Sequence, residues 1–80
     1  MMCMKTIYAD KYRQIGLKIA YYRKLRGLTQ EQLAEKLELS PAFIGHVEAP
    51  NINKAVSLDT LFDVAAALDV PPYKLLQFDQ

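Results

Sequence analysis

The side chains able to do chemistry in this chain do not assemble a reaction centre. There is one histidine, His46, and one cysteine, Cys3, far apart in the sequence. No metal-ligand spacing, no nucleophile beside a base and no Gly-rich phosphate loop accompanies them, so neither a metal, a cofactor nor an enzyme is expected. What remains is the chemistry of a binding surface. Between Pro41 and Ala49, Ile44 and Val47 fall three apart on one helical face, which leaves Pro41, Ala42, Gly45, His46 and Ala49 on the other. In that outward set only His46 can donate a side-chain hydrogen bond; Ala42 offers a methyl group and Gly45 a bare backbone. Further polar groups flank the segment, with Gln30 and Ser40 before it and Asn51, Asn53 and Lys54 after it.

Short helices must hold such a surface. Leu33, Ala34 and Leu37 share a face of a helix begun by Thr29, whose Gln32 three residues on completes a capping box. Leu39 is an apolar plug at the corner, and Ser40-Pro41 restarts the chain as a second helix, with Ser as N-cap and Pro at the first helical position. That helix is expected from Pro41 to about Ala49, ended by Pro50. Ahead of the pair, residues 10 to 26 read as a helix with Ile15, Ile19 and Tyr22 inward and Gly27 as its stop. Behind it, Ser57 caps a helix with Asp59 in its first turn and a buried stripe of Leu58, Leu61, Val64, Ala65 and Leu68. Pro71-Pro72 opens a last helix through about Phe78. With no strand hairpin signal, the expected fold is all-α, a compact five-helix orthogonal bundle in one domain spanning residues 1 to 80, residues 1 to 9 being a short lead-in.

The corner between residues 29 and 49 resembles the helix-turn-helix of the lambda-repressor-like, or XRE-type, regulators. Ala34 stands at the small position where two helices approach, Leu33, Leu37, Ile44 and Val47 stand at the buried positions, and Leu28-Thr29-Gln30 matches the start of helix 2. Ile15-Gly16, Ile19 and Arg23 match the first helix, while Ser57-Leu58, Thr60-Leu61, Ala67-Leu68 and Val70 match the fourth and the approach to the fifth. The resemblance implies a sequence-specific double-stranded DNA binder, a transcription regulator of repressor type that works as a homodimer with helix 3 in the major groove. It implies base reading by Pro41, Ala42 and His46, with Ser40 within reach of a phosphate or base edge. Phosphate contacts are implied at Gln30 and within Asn51, Asn53 and Lys54. Phe43 either packs at the rim of the core or touches sugar or a thymine methyl. Arg23 and Glu48 are implied to form a structural ion pair. Without a bidentate Arg, Asn or Gln on the outward face, direct readout should be sparse, leaving shape and water to contribute.

Three departures stand out. Glu38 occupies the place where the turn usually has glycine, so a positive φ there is strained or the turn is shaped differently. Ala49-Pro50 replaces a usual Arg-Gly, and the stretch from Glu48 to Ser57 is longer than usual.

Composition sets the remaining limits. Hydrophobic residues make up 51% of the 80, ample for one helical core, and no apolar run is long enough for a membrane span. A lone cysteine and no signal-peptide stretch point to the reducing cytoplasm and the nucleoid. Net charge is +1, but residues 1–26 hold seven basic residues against one acidic, and the rest hold three against eight. The basic first helix either lies near phosphates or is an ordinary solvated face. For the dimer, Tyr73, Leu76 and Phe78 offer one apolar surface and Met4, Ile7, Tyr8 and Tyr12 a second. An alternative use of the same fold is as a protein-binding module, an antitoxin or accessory component with weak DNA binding.

Overall fold

The computed structural model describes residues 7–51 and 54–78. Four α-helices follow one another, α1 (Ala9–Leu25), α2 (Gln30–Leu37), α3 (Pro41–Glu48) and α4 (Leu58–Leu68), and a 3-10 turn closes the chain at Pro72–Leu76. Among the described residues there is no strand.

Each start is fixed locally. Thr29 Oγ1 accepts from Gln32 N at 3.0 Å while the Gln32 side chain accepts from Thr29 N at 2.8 Å, a closed capping box. Ser40 Oγ accepts from Phe43 N and Ser57 Oγ from Thr60 N, both at 3.1 Å. The ends of α1, α2 and α4 share one device. Gly27, Glu38 and Asp69 all take positive φ, and the N–H groups of the residues after them reach back to the carbonyls of Arg23, Ala34 and Ala65. Glu38 adopts φ 57° and ψ 40°, so the corner keeps the left-handed shape that glycine usually supplies and carries the strain of a side chain there.

The core gathers Ile15 and Ile19 of α1, Leu33 and Ala34 of α2, Ile44 and Val47 of α3, the stripe Leu61, Val64, Ala65 and Leu68 of α4, and Leu75 of the terminal turn. One close approach in it involves backbone. A Cβ on Gly16 would lie 2.0 Å from the Val47 carbonyl oxygen, so α1 and α3 can close together only because residue 16 has no side chain.

Three expectations are corrected. The fifth helix is a single 3-10 turn, closed by the i to i+3 contact from Lys74 N to Pro71 O at 3.0 Å. Only Leu75 of that turn is fully buried, which leaves no stripe to propagate a longer helix. Leu58 is 63% exposed rather than part of the α4 stripe, since it opens the helix beyond the edge of the core. Finally, α1 and α3 each end one residue earlier than expected, and α1 also begins one residue earlier.

Candidate nucleic-acid interface

The second helix of the corner, α3, presents one face to solvent and has the other pinned. Pro41, Ala42 and His46 are exposed, and Phe43, Gly45 and Ala49 are half-buried. Ser40 is exposed with its oxygen occupied as the cap, leaving its O–H proton to donate. The pin is a buried ion pair. Arg23 Nε donates to Glu48 Oε2 at 2.7 Å and Nη2 donates to Oε1 at 2.9 Å, a bidentate fork with both residues 7% exposed. The third guanidinium nitrogen, Nη1, donates to the Leu28 carbonyl at 2.7 Å. One arginine thus ties α1 to the end of α3 and to the loop that starts α2.

Gln30, at the first position of α2, belongs to the same network. Its Nε2 donates to Glu48 Oε1 at 2.9 Å, and its Oε1 lies beside Gly45, 3.6 Å from where a Cβ would stand. This was not legible in the sequence, because the partner is eighteen residues away and glutamine carries no charge to announce it. One N–H of the amide is left over for another acceptor.

Asn51 is exposed, and Asn53 lies outside the described residues. Lys54 extends its Nζ over the Phe43 ring, 5.3 Å from the centroid, while that ring packs at the edge of the core. Phe43 and Lys54 therefore form one wall beside the α3 face rather than two separate features.

Most of the basic residues of α1 turn inward or pair locally. Arg23 is buried against Glu48, and Arg26 donates from Nε to the Leu68 carbonyl at 2.7 Å and from Nη2 to that of Asp69 at 3.0 Å, capping α4. Sequence reasoning missed that cap, since nothing local marks a contact forty-two residues long. Arg13 pairs with Asp10, whose carboxyl is held below its ordinary value of 3.8 by the hydrogen bond from Arg13 and then that from Gln14. Lys11 lies over the Phe78 ring at 5.5 Å.

The two dimer candidates meet. Tyr8 and Tyr12 from the start of α1 and Leu76 and Phe78 from the end of the chain line a single groove of about 290 Å³, completed by Leu58 and Val56. Ile7 and Tyr73 are exposed, and Met4 lies outside the described residues. No three His, Cys, Asp or Glu residues stand together as a metal site among the described residues, and none of the helices there is long and apolar enough to cross a membrane.

Comparison with known proteins matches this geometry. The Immunity repressor protein of Bacillus phage phi105 is 45% identical over 56 residues, 70% of this chain, which spans only 38% of that protein's length. Control protein C.SmaI of Serratia marcescens is 40% identical over 75 residues, 94% of this chain and 79% of that protein. Among solved structures, the restriction-modification controller protein C.AhdI from Aeromonas hydrophila superposes with a TM-score of 0.79 at 30% identity, over 88% of this chain and 99% of that one. SinR, the master regulator for biofilm formation of Bacillus subtilis, solved in complex with DNA, gives 0.72 at 35% identity, over 79% and 98%. A family model described as Helix-turn-helix (HTH_3) matches residues 19–75, from the middle of α1 to the terminal turn, and the chain belongs to that family.

Proposed function

We propose that this chain is a DNA-binding transcription regulator, a repressor of bacterial or phage type that occupies an operator as a homodimer with α3 in the major groove. The observation that carries this reading is the two-sidedness of α3. Its inner face is fixed by the Arg23–Glu48 pair and the Gly16 contact, while Pro41, Ala42 and His46 stand free on the outer face, where a groove-seated helix presents its readers. The family and its named repressor and controller relatives support it.

Within that reading His46 donates to a base edge, Ala42 contacts a thymine methyl and Ser40 donates to a phosphate or base edge. Gln30 offers its remaining N–H to a backbone phosphate at the α2 N-terminus, and Lys54 with Asn51 and Asn53 faces phosphates beyond α3. Phe43 supports Lys54 from below and meets the sugar edge. The partner subunit covers the groove between Tyr12 and Leu76, with Tyr73 and Phe78 at its border. The experiment is affinity for a selected operator against scrambled duplex: His46→Ala lowers the specific affinity toward the non-specific level with an unchanged melting curve. A fully retained preference in that variant removes α3 from the reading role.

A further inference from the structure

Along the outer side of α1, away from Ile15, Gly16, Ile19 and Arg23, run Leu17, Tyr21 and Leu25, which are 43%, 58% and 58% exposed. With 3.6 residues per turn, positions i, i+4 and i+8 form one ridge, and eight residues at 1.5 Å each make it about 12 Å long. A shallow groove of about 310 Å³ opens beside it, lined by Gln14, Leu17, Lys18 and Tyr21. The Tyr21 ring is braced edge-on against Tyr22, centroids 4.9 Å apart at 82°, so this wall of the groove is set in place.

Charge says what covers the ridge. The other described cations of α1 and its cap are engaged within the molecule: Lys11 over Phe78, Arg13 on Asp10, Arg23 on Glu48 and Arg26 on the α4 carbonyls. Lys18 and Lys24 are not, and helical spacing sets them on opposite sides of the Leu17–Tyr21–Leu25 line. We propose that the outer face of α1 docks an acidic amphipathic helix of another protein, its apolar stripe on Leu17, Tyr21 and Leu25 and its carboxylates against Lys18 and Lys24. A second copy of this chain is the poorer occupant, because it would bring the same ammonium groups together. The ridge lies on the far side of α1 from the contact with α3 and apart from the groove at Tyr12 and Leu76, so it stands independently of DNA reading and pairing.

The test is fluorescence anisotropy on the full chain. The probe is a labelled synthetic peptide of about four helical turns, with leucine at every fourth position and glutamate on both flanks; a matching peptide has lysine in place of glutamate. The acidic peptide binds in a salt-sensitive manner and the basic one does not. Leu17→Ser with Tyr21→Ser weakens binding about tenfold or more. Lys18→Glu with Lys24→Glu switches preference to the basic peptide, and this pair keeps the test decisive if the serine variant melts early. Equal binding of both peptides overturns the proposal, as does binding that neither pair of substitutions alters. So does self-association of the wild-type chain that the serine pair abolishes, or binding of anionic phospholipid vesicles without binding of either peptide.

Discussion

Arg23 and Gln30 converge on the Glu48 carboxylate, and this sets how each of the three responds to substitution. Removing one partner of a buried, hydrogen-bonded pair strands the other, which costs about 3 to 5 kcal/mol. Arg23→Ala therefore lowers the melting temperature sharply, as read by circular dichroism, and its loss of DNA binding reports unfolding. His46→Ala, on an exposed side chain outside the network, keeps the melting temperature and loses specific affinity. Equal thermal losses in the two variants would place His46 inside the packed structure. At Asp10 the contribution to stability depends on pH. A carboxyl depressed below 3.8 in the folded chain adds stability above that pH and loses it as pH falls through the lower folded value. Because the Asp10–Arg13 pair is solvent-screened, Asp10→Asn leaves the neutral-pH melting temperature nearly unchanged, with the only difference appearing in acid titration of the melt. At this scale the exposed face of α3 was legible in the sequence, since helical spacing alone separates Ile44 and Val47 from Pro41, Ala42 and His46. The partners of Gln30 and Arg26 were not, because each reaches across the fold to a group with no sequence signature.

The helices show the same division between local and distant causes. Thr29 with Gln32, Ser40 with Pro41, and Ser57 each encode a start within four residues, so α2, α3 and α4 were legible at their first turns. The last element was misread because Pro71-Pro72 signals a beginning and nothing in Tyr73 to Phe78 signals how little of it the core can accept. Two backbone positions give direct tests. Glu38→Gly relieves a left-handed residue and raises stability by about 0.5 to 1 kcal/mol, seen as a higher denaturant midpoint with an unchanged slope. Gly16→Ala drives a methyl into the Val47 carbonyl and must push α1 from α3, at a cost of about 1 to 3 kcal/mol or more by the same assay. Any rise in stability for Gly16→Ala would mean that α1 and α3 pack less closely than described.

At the scale of the whole molecule the charge asymmetry of the chain is redistributed by folding. Arg23, Arg26 and Arg13 are engaged by partners within the fold, so the basic first helix is mainly a clamp holding α3 and α4, and the cation beside the α3 face is Lys54, over the Phe43 ring. Parts of the two apolar surfaces that sequence spacing left as alternatives for a dimer, Tyr8 and Tyr12 of one and Leu76 and Phe78 of the other, line one groove. Leu76→Glu, at the exposed border of that groove, is expected to shift sedimentation toward the monomer and to reduce operator affinity by about tenfold or more, while leaving the helical signal intact. An unchanged sedimentation profile would move the interface elsewhere. Selecting bound sequences from a random duplex pool and following the winner's affinity across salt decides whether α3 reads duplex DNA as one half of a symmetric pair. That reading requires a pseudo-palindrome with half-sites about 10 base pairs apart and an affinity that falls steeply with salt. A folded, soluble protein that enriches no sequence would contradict it.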